Sequence, residues 1–266
     1  MTLQVWILTF NRPHALSRLV TKLGKQGLRS NIFSNHPSLR MTPEAAIYVD
    51  KTIINTLNSP ESNSWCARSW NTMYMKCFDD QDSGIFIQDD TDIGPNFVNW
   101  INEQKQKYDF IWGPAGDQFH YMTKSVLQKT GWFDERYLGC YCGDAEYLKR
   151  VYMNYDPSKI SFEESHSWGG YFNISGVSQY VITTYEAKTI DPNYDNQHWQ
   201  LERELCGGGR TDSNNPTLKH SQQHYRNKWG IDLDNCGPVT NHTNRQMPEI
   251  DWYPWFSKKH NFEVSN

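Results

Sequence analysis

Short apolar runs of strand length alternate with stretches of helical periodicity along the first half of the chain. Strands are predicted at 3–10, 31–34, 45–49, 84–87, 108–112 and 119–122. Helices are predicted at 13–24, 66–78, 96–107, 124–130 and from residue 144 onwards. This alternation indicates a Rossmann-type α/β fold, a mostly parallel sheet with helices on both faces.

The periodicity is weaker after residue 169, where a strand at 179–184 and a helix at 196–205 are predicted. Three glycines at 207–209 and the polar residues that follow them up to Pro216 predict a mobile loop at 206–217. The chain therefore reads as a single domain, with a core over 1–168 and a C-terminal extension over 169–266.

Polar side chains follow several of the predicted strands. Asn11, Asn35, Asp50 and the acidic segment 89–92 each come at a strand end. Ligands of open α/β sheets bind beyond the carboxyl ends of the strands. We therefore expect these side chains to gather at one edge of the sheet and to form a binding site there.

Three carboxylates come within four positions after the strand at 84–87, namely Asp89, Asp90 and Asp92. Carboxylate oxygens suit Mg²⁺ or Mn²⁺, and a cation there could neutralise a bound diphosphate. A solvated Asp-rich turn or a helix cap would explain the same residues, so both interpretations stay open.

A second acidic pair, Asp144 and Glu146, begins a predicted helix after a glycine-containing turn. A carboxylate at this place can cap the helix. It can also act as a general base that accepts the proton of an acceptor hydroxyl.

The composition limits the classes of ligand that the chain is expected to bind. Hydrophobic residues make up 37% and aromatic residues 14% of the chain, which is enough for a packed core and for rings that could stack on sugars. The net charge of −4 disfavours nucleic acid as a bulk ligand. No secretory signal and no apolar run of about 18 residues is visible, and the six cysteines form no C-x-x-C pair. A cytoplasmic location, in a cell or an infected host, with no membrane span is expected.

The order of these segments resembles that of GT-A fold glycosyltransferases, especially the family 2-like inverting enzymes. Residues 9–13 resemble the family's opening strand and turn, 66–71 its helix near the nucleotide, and 87–92 its acidic metal motif. Residues 124–135 are similar to the stretch before the catalytic acidic pair, and 143–146 fall where that pair belongs. The likeness covers residues 3–151, with a weaker echo at 225–230.

The resemblance implies a GT-A-like sheet, a nucleotide-diphosphate sugar donor (a UDP-sugar), an acceptor hydroxyl on a glycan or another molecule, and Mn²⁺ or Mg²⁺. It makes Asp144 the general base with Glu146 in support, and it makes Asp90 the first and Asp92 the second metal ligand. The residues it brings to the donor are Thr9, Asn11, Arg12, Asn35, Asp50, Arg68, Asn71 and Asp89.

This sequence departs from the family pattern at Gln88 and Gly143, where many relatives have acidic residues. Some members also have a late histidine metal ligand, for which His166 and His220 are the options. Three alternatives remain: a viral or phage transferase that modifies a DNA base, a nucleotidyltransferase, and a non-catalytic carbohydrate-binding protein.

Overall fold

The computed structural model describes residues 3–10, 12–36, 39–55, 65–114, 116–137, 143–163, 171–182, 216–230 and 263–265. The strands are β1 Gln4–Thr9, β2 Ser30–Ser34, β3 Val49–Ile54, β4 Ser83–Gln88, β5 Asp92–Ile93, β6 Phe110–Trp112, β7 Phe119–Thr123, β8 Ile160–Glu163, β9 Tyr171–Phe172, β10 Val181–Ile182 and β11 Glu263–Ser265. The helices are α1 Pro13–Lys25, α2 Pro43–Ala46, α3 Trp65–Phe78, α4 Phe97–Gln104, α5 Lys124–Thr130, α6 Gly143–Asn154 and α7 Pro216–Trp229. No helix in these ranges is long and apolar enough to cross a membrane.

Nine of the described strands form one mixed, mostly parallel sheet in the order β11-β3-β2-β1-β4-β7-β6-β8-β9. Strands β3, β2, β1 and β4 are parallel neighbours, and β6 is parallel to β8. Strand β7 runs antiparallel between β4 and β6, and β9 and β11 are antiparallel at the two edges. The expected α/β class and the mostly parallel sheet are thus confirmed. The carboxyl ends of β1 to β4 lie side by side, and the edge of the sheet that they form is the one at which the sequence predicts the site.

Each face of the sheet carries its own apolar core. Side chains of β1 alternate between the faces, so that Trp6 and Leu8 pack with α3, α5 and α6, while Val5 and Ile7 pack with α1 and α4. Helix α1 begins at Pro13, whose fixed φ suits a first helical position, and it buries one apolar stripe on the sheet. Helices therefore cover both faces, as the periodicity predicts.

The predicted strand at 45–49 is wrong. Pro43 begins the short helix α2, the Thr42 hydroxyl accepts a hydrogen bond from the Ala45 amide, and the strand starts only at Val49. A proline at the first position and a threonine cap stabilise a helical turn, and they outweigh the strand preference of the apolar residues that follow. The shift moves Asp50 to the amino end of β3.

The second half differs more from expectation. The strand predicted at 179–184 is described only as β10, which follows a 3-10 turn and pairs antiparallel with β5. The helix predicted at 196–205 and the glycines at 207–209 lie outside the described residues. Pro216, taken as the end of a loop, is instead the first residue of α7. Strands β8, β9 and β11 were not predicted.

Candidate functional site

Four polar residues meet where β1 and β4 end. The Thr9 hydroxyl donates to Asp89 Oδ2 at 2.5 Å, and the Arg12 guanidinium lies 3.1 Å from Asp89 Oδ1 and 3.3 Å from Asp90 Oδ2. Thr9, Arg12, Asp89 and Asp90 are all buried. Thr9 and Asp89 are 80 residues apart in the sequence, and the four side chains meet because β1 and β4 are parallel neighbours whose carboxyl ends share one edge.

The electrostatics of this cluster depend on Arg12. Burial raises the pKa of Asp89 to about 6, because a carboxylate is poorly solvated there, while the Arg12 guanidinium lowers that pKa and the Asp90 carboxylate raises it. One guanidinium thus balances two carboxylates. Three charged side chains therefore lie close together at this edge of the sheet, and a bound phosphate or cation could change how they pair.

Asp92 faces a different set of partners. Its side chain is fully buried, Lys22 donates to its Oδ2, and Arg18 Nε lies 3.4 Å from the same oxygen. Both cations belong to α1, so Asp92 ties β5 to that helix. The structure therefore brings Asp89 and Asp90 together with Arg12 but engages Asp92, the predicted second metal ligand, in a separate ion cluster.

The fit to a divalent cation can be tested on these donors. Within the described ranges, no group of three or more His, Cys, Asp or Glu side chains could hold a metal ion. Mg²⁺ is commonly held by one or two carboxylates together with substrate phosphates and water. Asp89 and Asp90 fit that kind of site, in which the ligand supplies the remaining oxygens.

A layer of buried amides continues the site along the edge. Asn35 donates to Ser69 Oγ at 2.8 Å and accepts from Asn55 Nδ2 at 3.3 Å. Asn35 follows β2 and Asn55 follows β3, and both are buried. Asn55 was missed because the strand before it was placed at 45–49, although an Ile-Ile-Asn sequence at a correctly placed strand end would have revealed it.

Asp50 does not belong to this edge, contrary to the prediction. It lies near the amino end of β3, its side chain is 51% exposed, and it pairs with Arg29. The amino ends of parallel strands lie opposite their carboxyl ends, so the corrected strand boundary removes Asp50 from the candidate site. Asn11, another predicted contact, lies outside the described residues.

Arg68 and Asn71, both on helix α3, differ in burial and in hydrogen bonding. The Asn71 side chain is fully buried, donates to the Phe133 carbonyl and to Glu135 Oε1 at 2.9 Å each, and accepts from the Phe133 amide. These three hydrogen bonds hold the 133–135 segment against α3. Arg68 is partly buried; burial lowers its pKa and the Glu135 charge opposes that shift. Of the two, Arg68 retains the exposure that a ligand contact needs.

Asp117 joins the edge from the turn between β6 and β7. Its Oδ1 accepts from Gln88 Nε2 at 3.0 Å and its Oδ2 accepts from Trp70 Nε1 at 2.6 Å. Gln88, where the sequence departs from the resemblance, is thus hydrogen-bonded to a carboxylate from another segment. Asp117 carries no sequence signal, because its turn follows no periodic pattern.

The two predicted catalytic carboxylates have different environments. Asp144 lies in the first turn of α6 and is partly exposed. Glu146 is completely buried, with Arg150 Nε at 2.7 Å from its Oε1 and Arg150 Nη2 at 2.9 Å from its Oε2. Helix α6 also contacts the 116–118 turn that holds Asp117. Asp144 is therefore the carboxylate of the pair that an acceptor could reach.

Glu146 belongs to a buried ion cluster that includes Asp134 and a residue of α7. Lys228 Nζ lies 2.8 Å from Asp134 Oδ2 and 2.7 Å from Glu146 Oε1. Arg136 makes a forked contact with Asp134, and His224 Nε2 is 2.9 Å from its Oδ2. Tyr137, Tyr225 and Trp229 pack beside this cluster. Sequence reasoning missed Lys228, for which the similarity at 225–230 is the only signal.

Neither histidine option gains support as a metal ligand. His220 is exposed on α7, and its Nε2 is 3.2 Å from the Arg136 carbonyl oxygen, to which it can donate. His166 lies outside the described residues.

Acid should destabilise the chain through this ion cluster. Burial opposes ionisation of Asp134 and Glu146, but hydrogen bonds from His224 and Arg136 to Asp134 and the charges of Arg150 and Lys228 near Glu146 outweigh it, so both pKa values are lowered. The unfolded chain takes up protons first, from about its ordinary pKa values of 3.8 and 4.5 downwards. The stabilisation is thus present above pH 4.5 and lost as the pH falls. We expect the melting temperature to drop below pH 4.5, and a flat profile from pH 6 to pH 3 would contradict this.

Comparison with known proteins adds no relative. Neither a scan against models of protein families nor a search of curated proteins finds a match to this chain. The functional argument therefore rests on the geometry of the site.

Proposed function

We propose that the chain is a glycosyltransferase that moves a sugar from a nucleotide-diphosphate donor to an acceptor hydroxyl. The observation that carries this proposal is the buried cluster of Thr9, Arg12, Asp89 and Asp90 at the carboxyl ends of β1 and β4. A mostly parallel sheet binds ligands at this edge, and the cluster places a guanidinium beside two carboxylates there.

The donor would lie along the same edge. Arg68, which is partly exposed on α3, could contact the diphosphate, because guanidinium groups match phosphate geometry, whereas the buried Arg12 is paired with Asp89 and Asp90. The side chains of Asn35 and Asn55 are buried and hydrogen-bonded to each other, and Asn35 also to Ser69, so they would shape the edge at which the nucleoside lies. A UDP-sugar is the donor that the sequence resemblance suggests.

Asp90, with Asp89 beside it, would hold a Mn²⁺ or Mg²⁺ ion once the Arg12 guanidinium, which contacts both carboxylates, had released them. A bound divalent cation supplies charge stabilisation to the leaving nucleotide diphosphate. Asp92 is better explained as a structural anchor, since its carboxylate is engaged by Lys22 and lies near Arg18.

On the acceptor side, Asp144 would remove the proton from the attacking hydroxyl, and attack from the face opposite the leaving group would invert the anomeric centre. Glu146 would support the base indirectly, by fixing the first turn of α6 through its buried ion pairs. The acceptor is a glycan or another hydroxyl compound, and a modified DNA base remains within the same chemistry.

A GT-A arrangement is the finer fold that we propose. Four parallel neighbours, β3, β2, β1 and β4, followed by the antiparallel β7, agree with the order of segments on which the resemblance rests. An acidic segment after β4 and a carboxylate-bearing α6 after β7 and α5 also follow that order.

A binding screen tests the proposal. The melting temperature of the chain is measured with nucleoside diphosphates, nucleotide sugars and nucleoside triphosphates, each with and without Mn²⁺, because a ligand that binds only the folded state raises it. A shift specific to one nucleotide sugar, followed by transfer or slow hydrolysis of that sugar, supports the proposal. Preference for triphosphates would favour a nucleotidyltransferase, and a metal-independent shift with free glycans alone would favour a carbohydrate-binding protein.

The variant Asp90→Asn should lose Mn²⁺-dependent donor binding. The amide keeps the shape of the carboxylate but is a far weaker ligand for a hard cation, so we expect affinity for the nucleotide diphosphate in Mn²⁺ to fall by about tenfold or more. Calorimetry with and without Mn²⁺ measures this. Asp80→Asn, which changes an exposed carboxylate after α3, is the matched control. Unchanged Mn²⁺-dependent affinity in Asp90→Asn would remove Asp90 from the site.

A further inference from the structure

Lys228, near the end of α7, has its ammonium group buried between two carboxylates. Nζ is 2.8 Å from Asp134 Oδ2 and 2.7 Å from Glu146 Oε1, and the Lys228 side chain is only 3% exposed. An ammonium group is strongly hydrated, so its burial is unfavourable unless carboxylates replace the lost water. Two carboxylates from different segments therefore share one cation from a third.

The carboxylate on α6 that Lys228 contacts belongs to the same helical turn as Asp144. Glu146 follows Asp144 by two residues in the first turn of α6. The first turn is coupled to the rest of α6, because its carbonyl groups accept hydrogen bonds from the amides of the next turn and its dihedral angles are helical. Any contact that fixes Glu146 in space also limits where the Asp144 carboxylate can lie.

A second ion pair, between Arg150 and Glu146, also holds this turn. Arg150 pairs with Glu146 within α6 and donates to the carbonyl oxygens of Thr130 and Trp132 at 2.7 and 2.8 Å. Arg150 thereby ties α6 to the end of α5. Lys228 adds the link to Asp134 and to α7, so the first turn is held between two anchors.

Loss of Lys228 would leave each carboxylate with other cations. Asp134 keeps Arg136 and His224, and Glu146 keeps Arg150. Each carboxylate thus retains a charge partner, while the distance between the Asp134 segment and α6 is no longer set by a shared ion. We therefore expect the effect to fall on the position of the first turn of α6 more than on the fold as a whole.

We propose that Lys228 is a positioning residue, which acts through Glu146 to hold the proposed base Asp144 in place for the acceptor. This inference rests on the proposed function. It makes α7, from the C-terminal part of the chain, a component of the acceptor side of the site. Lys228 acts through the protein's own carboxylates, since its ammonium group contacts Asp134 and Glu146, both of which are buried.

The variant Lys228→Met removes the charge but keeps most of the side-chain length. Lys219→Met is the matched control, because Lys219 is exposed on the same helix. The first measurement is hydrogen exchange of the full chain without ligand. We expect the amides of residues 147–150, whose hydrogen bonds are accepted by the carbonyl groups of the first turn, to exchange faster in Lys228→Met than in wild type and to be unchanged in Lys219→Met. Equal exchange in all three proteins would overturn the proposal whether or not the chain is active.

The second measurement separates binding from turnover. Per folded molecule, Lys228→Met should keep the wild-type affinity for the nucleotide sugar and lose about 10-fold to 10²-fold in kcat, as expected when a reacting group is slightly misplaced. A purely structural role predicts lower stability with an unchanged kcat per folded molecule, which would overturn the proposal.

Two further outcomes are also decisive. Lys228→Gln replaces Lys228→Met if the latter does not fold, and failure of both variants to fold would assign Lys228 to the fold alone and overturn the proposal. Absence of sugar transfer by the wild type would overturn the proposed function and, with it, the positioning of a base. The exchange result would then still decide whether Lys228 holds the first turn of α6.

Discussion

Replacing Asp144 with Asn should lower turnover by about 10² to 10⁴-fold while affinity for the donor stays unchanged, as expected for a lost general base. Asn is nearly isosteric with Asp, so the shape of the site is preserved. Asp144 is partly exposed in the first turn of α6, which leaves it accessible to an acceptor hydroxyl. Steady-state kinetics with the donor identified by the binding screen, together with the melting temperature, measure both effects.

A helix cap would behave in another way. Asn caps helices about as well as Asp, so a capping role predicts that Asp144→Asn keeps both stability and rate. Glu146→Gln is the informative companion, because the Glu146 carboxylate is fully buried between Arg150 and Lys228 and its loss should reduce the melting temperature. A fully active Asp144→Asn protein would remove Asp144 from the catalytic assignment.

Replacing Asp134 with Ala should destabilise the fold by about 3–5 kcal/mol, the range measured when one partner of a buried ion pair is removed. Asp134 is fully buried and accepts contacts from Arg136, His224 and Lys228. Its loss removes one of the two buried carboxylates that contact the Lys228 ammonium group. Urea unfolding at pH 7 gives the free energy of unfolding directly.

The control for this variant is Asp79→Ala, which removes an exposed carboxylate after α3 and should change stability by about 0.5 kcal/mol or less. The two variants change the same residue type and differ in burial. A free energy of unfolding for Asp134→Ala within about 1 kcal/mol of wild type would show that the ion cluster does not hold α7 to the core.

The sequence predicted elements best where the apolar pattern and a residue with a restricted backbone, such as proline, indicate the same element. The apolar run before Asp89 and the proline at the start of α1 placed β4 and α1 within about one residue, and the carboxyl-edge rule then brought Thr9, Arg12, Asp89 and Asp90 together. The rule depends on correct strand ends. One misplaced strand put Asp50 at the wrong edge and hid Asn55, since a helical turn at Pro43 competed with an apolar run of strand length.

Partners that come from distant segments could not be predicted. Asp92 looked like a metal ligand by its spacing, yet its side chain contacts Lys22 on α1, and no local pattern reports which of several acidic residues a distant lysine will meet. Asp117 and Lys228 are isolated polar residues in turns or polar helices. Their contacts follow from the packing of whole elements, which a single sequence does not encode locally.

The ion cluster around Lys228 has a consequence for synthesis of the chain. During translation Asp134 and Glu146 leave the ribosome well before Lys228, which follows Asp134 by 94 residues. Until then both carboxylates lack the cation that they share in the folded protein. The edge strand β11, which pairs with β3, arrives later still. The nascent chain therefore completes its central sheet and its α6 region only after Lys228 and β11 have emerged, and a fragment that stops at residue 168 would lack the cation that Asp134 and Glu146 share.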